Sequence, residues 1–311
     1  MRLAFLGKGG SGKTTVATAF IQYLRATVPF VVAIDADVNR HLGRGLGLLD
    51  AKGFAAHHDA IADYLINDPA VPVAARIGTT PPTRTARFLR PQAADPFLRR
   101  YAAQAPGLAL LTVGSYETAD VGYACYHEKL GTLELVLHHT LDGAGDYLVA
   151  DVVTGTDNLG TSLAFAYDLN VFVVEPTRKS LAVYADFVAL AAPLRQRVRV
   201  VINKAEDEAD IAFVRNHVPP DDILGVIGYA PAMRQYEEGD PAAIGAFVAA
   251  NQGTLAAIRA EADGLTRDWA TYLARLQAAH ATMVGQWYTH VAGSARATDA
   301  AFSYAAALAQ P

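Results

Sequence analysis

The sequence predicts an α/β fold: a mostly parallel sheet with helices on both faces, followed by a C-terminal helical extension. Three observations predict it. Short Val/Ile/Leu-rich runs alternate with segments of helical periodicity, the pattern of strands that are buried on both faces. A glycine-rich turn stands between the first run and the first helix. Acidic and amide side chains fall where the runs end, and in open parallel sheets ligands sit beyond the carboxyl ends of the strands.

The first run, residues 2–6, leads into Gly7-Lys8-Gly9-Gly10-Ser11-Gly12-Lys13-Thr14 and then Thr15. This is the G-x-x-x-x-G-K-[ST] spacing. Its glycines let the backbone curl so that N–H groups face a phosphate, and a helix opening near Lys13 adds its positive dipole end. Gly7, Gly9, Gly10, Ser11, Gly12, Lys13, Thr14 and Thr15 are therefore the expected phosphate cradle. Lys13 is expected to neutralise β/γ oxygens, and the Thr14 hydroxyl to ligate Mg²⁺. Lys8 is different, because a lysine inside the loop cannot easily fold back on its own nucleotide.

The second run, 30–34, ends in Asp35-Ala36-Asp37-Val38-Asn39. Beside the glycine-rich loop, one carboxylate can hold a water on Mg²⁺ and another can orient the attacking water. Asp37 is assigned to water positioning and Asp35 to metal or loop support. Run 108–112 follows. Run 147–150 then ends in Asp151, an apolar strand capped by a carboxylate near Mg²⁺, and Gly155 and Gly160 give the next loop freedom to respond to a γ-phosphate.

Runs 169–174, 199–202 and 223–227 complete the sheet. Asn203-Lys204 follows the second of these, where a purine is often read, and the Asn203 amide can both accept from and donate to a base edge. Glu206 stands where N-K-x-D GTPases carry Asp, so both ATP and GTP stay open. Pro231, within Tyr229-Ala230-Pro231-Ala232-Met233, is expected to close over the base.

Two stretches depart from the alternation. Seven of the fifteen prolines lie between Pro69 and Pro106, so an insertion at about 67–107 is expected to be ordered but too broken for a regular sheet element. The nucleotide domain is drawn at 1–245 and the helical extension at 246–311. In the extension, Leu265, Trp269, Leu273, Leu276, Met283, Trp287 and Val291 recur at helical spacing, as in the core of a helical hairpin or small bundle.

Net charge is −5 with a pI near 6.0, which gives no global attraction to nucleic acid or anionic lipid. No apolar run approaches the roughly 18 residues of a membrane span. Cys125 is the only cysteine, which excludes an internal disulfide framework and fits a reducing cytoplasm. The opening residues run directly into the first strand, leaving no room for a signal peptide. A cytoplasmic protein is expected.

The K-G-G-x-G-K-T-T loop resembles that of the deviant P-loop ATPases, the MinD/ParA/nitrogenase iron protein superfamily. Together with residues 35–39, 122–127, 151–160, 173–180 and 201–204, it is most similar to the CooC-like ATPases that mature nickel-containing carbon monoxide dehydrogenase. The resemblance implies ATP with Mg²⁺, a nucleotide-dependent homodimer in which Lys8 reaches the partner's phosphates, and a client that is a metalloenzyme. Metal-binding members of the resembling family carry Cys-x-Cys. Here Cys125 is followed by His127, so two chains would present an S₂N₂ set suited to Zn²⁺ or Ni²⁺. His57-His58 and His138-His139 read as surface or core histidines. Two alternatives share the superfamily: a ParA/MinD-type partitioning or positioning ATPase, and a nucleotide domain related to cobyrinic acid a,c-diamide synthase. The first lacks a basic amphipathic tail or basic face, and the second lacks a glutaminase domain.

Overall fold

The computed structural model describes residues 1–116, 118, 122, 125–153, 156–230, 233, 236, 240, 242–287 and 299–310. Among them, eight strands form one sheet: β1 (Arg2–Gly7), β2 (Val31–Ala36), β3 (Ala103–Ala105), β4 (Leu108–Thr112), β5 (Tyr147–Val152), β6 (Leu169–Val174), β7 (Val198–Ala205) and β8 (Ile223–Gly228). Their order is β3-β4-β2-β5-β1-β6-β7-β8. All neighbours are parallel except β3 with β4. Strands β1, β2, β5 and β6 are buried along their whole length, which is why they read as continuous apolar runs.

Alternate side chains serve two separate cores. On one face, Leu6, Ile34 and Val152 pack under α3 (His58–Ile66), α5 (Tyr126–His138), α6 (Arg178–Ala191) and α7 (Glu208–Arg215). On the other, Leu3, Phe5 and Val149 pack under α1 (Lys13–Arg25) and the helices Ala242–Ala250 and Gln252–Asp263. The register pairs Asp35 with Asp151 and Phe5 with Asp151. The central strands therefore end level, and the glycine-rich loop leaves β1 beside two carboxylates.

One sequence expectation is corrected in the Pro-rich insertion. It contains both a helix, α4 (Pro96–Tyr101), and the antiparallel edge strand β3. Pro96 stands at the first helical turn, where its missing N–H costs nothing, and Asp95 Oδ1 accepts from Leu98 N at 3.0 Å as the cap. Proline-free residues 103–105 then pair with the open edge of β4.

Helix Ala242–Ala250 spans the boundary expected at 245/246, and Phe247, Leu255 and Ile258 belong to the core over α1. Beyond it, helix Trp269–Trp287 carries most of the expected apolar stripe, Val291 lying outside the described residues. Tyr272 and Trp269 join Phe302 and Tyr304 in a third, aromatic cluster that also holds Phe88, Leu141 and Phe165.

Candidate functional site

The loop after β1 is held from behind. Asn203 Nδ2 donates to Ser11 O at 2.7 Å, and Lys204 Nζ donates to Gly10 O at 2.6 Å. Gly12 has φ 88°, and a Cβ there would meet Asn203 Nδ2 at 2.3 Å, so this position requires glycine twice over. Lys204 itself sits at φ 60° and pairs with Glu175 Oε1 at 2.8 Å. Asn203 and Lys204, expected at the base, thus also buttress the phosphate loop. Glu175 was missed as a site residue. Its position immediately after β6, at the same carboxyl end of the sheet as the other strand-end carboxylates, was the available signal.

At the mouth of α1, two buried carboxylates flank one ammonium, and a third, Asp35, stands opposite Asp151 on the neighbouring strand. Lys13 Nζ lies 2.6 Å from Asp37 Oδ2 and 3.5 Å from Asp151 Oδ1. The Thr14 hydroxyl donates to Asp151 Oδ2 at 2.6 Å. Asp35 turns toward the short helix α2 (His41–Gly45), accepting from Gly43 N at 3.3 Å and from Asp37 N at 3.4 Å. Asn39 fixes Asp37 through both its backbone and side-chain N–H groups, each 3.0 Å from Asp37 Oδ1.

The electrostatics follow from that crowding. Burial, then the neighbouring Asp151 charge, pushes Asp35 up to about 7. Burial likewise raises Asp151 to about 6, although Lys13 and Thr14 pull the other way. Asp37 is lowered: burial opposes ionisation, but the hydrogen bonds from Lys13 and Asn39 overcome it. For Lys13, burial works against the charge, and Asp151 with Asp37 still holds its pKa above the ordinary value.

This cluster is short of positive charge. Asp151 Oδ1 is fully buried without a hydrogen-bond donor, and Ser11 Oγ and the Asn158 amide are buried without hydrogen-bond partners. A hard divalent cation and a polyphosphate would supply what these groups lack, so the residues fit Mg²⁺ and a nucleoside triphosphate.

A cavity of about 960 Å³ opens in front of the loop. Gly9, Gly10, Gly12, Lys13, Thr14 and Thr15 form its floor, Asp37 and Asn39 one wall, and Asn203, Lys204 and Tyr229 another. Gly7 and Ser11 lie just behind it. Lys8 does not line it; its Nζ curls onto Gly9 O at 2.9 Å. Tyr236 Oη donates to Gly45 O, linking the far wall to α2. Pro231 lies outside the described residues.

Cys125 caps the N-terminus of α5, and its Sγ lies 3.2 Å from His127 Nδ1. Both side chains are exposed. Among the described residues, no group of three or more His, Cys, Asp or Glu side chains could hold a metal within one chain. His138 and His139 are fully buried. Among the described residues, no helix is long and apolar enough to cross a membrane.

A strand, a phosphate-type loop, a helix and level strand-end carboxylates together define a P-loop nucleotide-binding protein. Residues 3–242 match the family model described as the CobQ/CobB/MinD/ParA nucleotide binding domain, and the chain belongs to that family. It resembles the carbon monoxide dehydrogenase accessory protein CooC of Rhodospirillum rubrum, with 27% identity over 239 residues, 76% of this chain and 87% of that protein. An ATP-binding protein of Methanocaldococcus jannaschii is 25% identical over 74% of this chain and 85% of its own length.

Among solved structures, a ParA family ATPase from Chlorobium tepidum superposes with a TM-score of 0.59 at 17% identity, covering 85% of this chain and 99% of that one. The Pyrococcus furiosus cell division ATPase MinD gives 0.51 at 19% identity, covering 83% and 98%. These likenesses show the shared fold. Family and resemblance together place the chain, as a nucleotide-binding protein similar to CooC, in the deviant P-loop ATPase superfamily of MinD and ParA.

Proposed function

We propose that the protein is a dimeric Mg-ATP-dependent switch that serves the maturation of a metalloenzyme. The observation that carries the nucleotide half is the buried pair Asp37 and Asp151 on Lys13, with Asp151 Oδ1 lacking a hydrogen bond, where Lys13, Thr14 and Asp37 line the cavity. Bound Mg²⁺ supplies counter-charge to phosphate oxygens. Lys13 exchanges Asp37 for the phosphate chain, which leaves the Asp37 carboxylate, still fixed by Asn39, to orient the attacking water and accept its proton. Thr14, Asp151 and, less directly, Asp35 hold the cation's surroundings. Asn203 and Lys204 keep the loop in shape under the base.

Dimerisation is supported by Lys8, which does not line its own chain's cavity and whose exposed bond to Gly9 O a second copy's phosphates would replace. The metal-handling half is supported by Cys125 and His127, exposed and within 3.2 Å of each other, at the end of the sheet where the nucleotide sits. Two chains together would offer two thiolates and two imidazoles, a complete tetrahedral set for Zn²⁺ or Ni²⁺. The resemblance to a carbon monoxide dehydrogenase accessory protein makes a metalloenzyme the client of choice.

Sedimentation tests both halves. With a non-hydrolysable ATP analogue and Mg²⁺, wild type should dimerise, and Lys8→Ala should bind nucleotide but stay monomeric. Zinc should promote dimer formation without nucleotide at close to one ion per two chains, as the shared S₂N₂ set requires, and Cys125→Ser should abolish that response. A Lys8→Ala dimer indistinguishable from wild type removes the trans-acting lysine. Zinc curves identical for wild type and Cys125→Ser remove the metal.

A further inference from the structure

A second polar array lies wholly inside the molecule, away from the nucleotide cavity. Ser162 Oγ donates to Glu134 Oε2 at 2.8 Å. His138 Nε2 lies 2.7 Å from Ser162 Oγ, and His138 Nδ1 lies 2.7 Å from Tyr272 Oη. Arg2 Nη1 in turn donates to Tyr272 Oη at 3.0 Å. Glu134, His138, Ser162, Tyr272 and Arg2 are all buried.

The donors can be ordered. The Ser162 proton is committed to Glu134, so His138 Nε2 must carry a hydrogen to donate to Ser162 Oγ. Burial holds the imidazole neutral, so Nδ1 is bare and accepts from Tyr272 Oη. That hydroxyl oxygen is left to accept from Arg2. One directed chain therefore runs Arg2 to Tyr272 to His138 to Ser162 to Glu134, each link polarising the next.

Beyond Arg2 on β1, its members lie on three separate elements. Ser162 follows the segment 156–161 that leaves β5 after Asp151, and it opens the short helix Ser162–Phe165. Glu134 and His138 lie on α5, the helix that Cys125 caps. Tyr272 lies on the helix Trp269–Trp287 of the extension. Aromatic contacts reinforce the junction: the Phe165 ring lies 5.8 Å from His138 and 6.0 Å from Tyr272.

We propose that Ser162, His138 and Tyr272 are positioning residues that fix the segment after Asp151 against α5 and the C-terminal extension, so that occupancy of the Cys125 end of α5 and of the extension is felt at the ATP site. A helix moves as a rigid body, and α5 has its candidate partner site at one end and this chain at the other. The inference rests on the ATPase reading for its kinetic consequence, but the linkage itself is a property of the folded chain.

Tyr272→Phe removes one hydroxyl and keeps the ring, and Ser162→Ala removes the next link. Each should lower kcat about fivefold with the KM for ATP unchanged, and the double variant should lose no more than either alone, because both break one chain. Tyr304→Phe is the control. It deletes the 2.6 Å bond from Tyr304 Oη to the His138 carbonyl in the same aromatic cluster, off the directed chain, so it should lower the melting temperature and leave kcat unchanged. Amide hydrogen exchange of residues 156–165 should quicken several-fold in Tyr272→Phe and stay unaltered in Tyr304→Phe, with or without nucleotide. Wild-type kcat in both relay variants, additive losses, or unchanged exchange overturns the proposal. A wild type that hydrolyses no ATP overturns the ATPase reading instead, and the exchange measurement still decides the linkage.

Discussion

Two buried ionic clusters sit at opposite ends of the same sheet, and they are built on opposite principles. At the amino ends of the strands, Arg2 and Arg267 face Asp142 and Asp168. Arg267 is bidentate to Asp142 at 2.8 and 3.0 Å and reaches Asp168 Oδ1 at 2.8 Å, while Arg2 Nε meets Asp142 Oδ1 at 2.8 Å. Each carboxylate has a cationic partner. Although burial alone would raise it, Asp142 is held far below the usual carboxylate range by Arg2 and Arg267. At the carboxyl ends, Asp37 and Asp151 share Lys13 while Asp35 is held by the backbone N–H groups of Gly43 and Asp37, and burial pushes Asp35 and Asp151 up. The first cluster is complete without a ligand. The second becomes complete only with one, which is how a fold of this kind separates scaffold from switch.

The comparison breaks most visibly through Arg267. Arg267→Ala takes the shared cation from Asp142 and Asp168, leaving Arg2 beside Asp142, and frees the start of the helix Trp269–Trp287, whose Trp269 ring lies 4.5 Å below the Arg267 guanidinium. Removing one partner of a buried pair costs about 3–5 kcal/mol. The melting temperature should drop by on the order of 10 °C, while nucleotide affinity of the folded fraction stays within about twofold of wild type. Calorimetry and a nucleotide titration check this pair of outcomes. A stable variant with weakened nucleotide binding would mean that the two ends are not separable.

Asp37→Ala probes the other end and should invert the pattern. The change takes the nearest partner of Lys13, but Asp151 still faces the ammonium, so the unliganded protein should lose less stability than Arg267→Ala does. Turnover should fall on the order of 10²-fold or more, the usual loss when a water-orienting group is removed, with triphosphate affinity retained. Steady-state hydrolysis set beside an equilibrium binding curve separates the two. Equal losses in both would remove Asp37 from the chemical step and make it a binding group.

How much of this was legible in the sequence depends on contact range. The phosphate loop was readable because glycine spacing and the Lys13-Thr14 pair are local, and Asp35, Asp37 and Asp151 were readable because strand ends converge in a parallel sheet. Strand positions were close for the same reason, since a run buried on both faces is apolar throughout. The Asn203 contact to Ser11 and the His138 contact to Tyr272 join residues 192 and 134 positions apart, and no local pattern announces them. Thus the buttress role of Lys204 and Glu175 and the relay through Ser162 emerge only once the chain is folded. Helix α4 and strand β3 were hidden because proline density looked disruptive, whereas Pro96 stands where a helix begins.

The finest contrast between the clusters is their response to pH, and Asp35→Asn isolates it. Folded, Asp35 titrates near 7, against about 3.9 in the unfolded chain. The folded state therefore binds the extra proton between those values, and stability contributed by this group falls as pH rises from about 4 to about 7. The wild-type curve alone hides this. His138 and His139, whose pKa values burial lowers, slope the opposite way below about 6.5. Both histidines remain in the variant and cancel in the difference. Asparagine has no proton to lose, so the stability of Asp35→Asn relative to wild type should rise between pH 5 and pH 8 by on the order of 2 kcal/mol in the unliganded protein. Saturating Mg-nucleotide should shrink that gap, because the bound cation supplies the counter-charge that Asp35 lacks. Denaturant unfolding at pH 5, 6, 7 and 8, with and without ligand, measures it. A flat difference would mean that Asp35 is already compensated in the free protein, and the carboxyl-end cluster would then be as self-sufficient as the one built on Arg267.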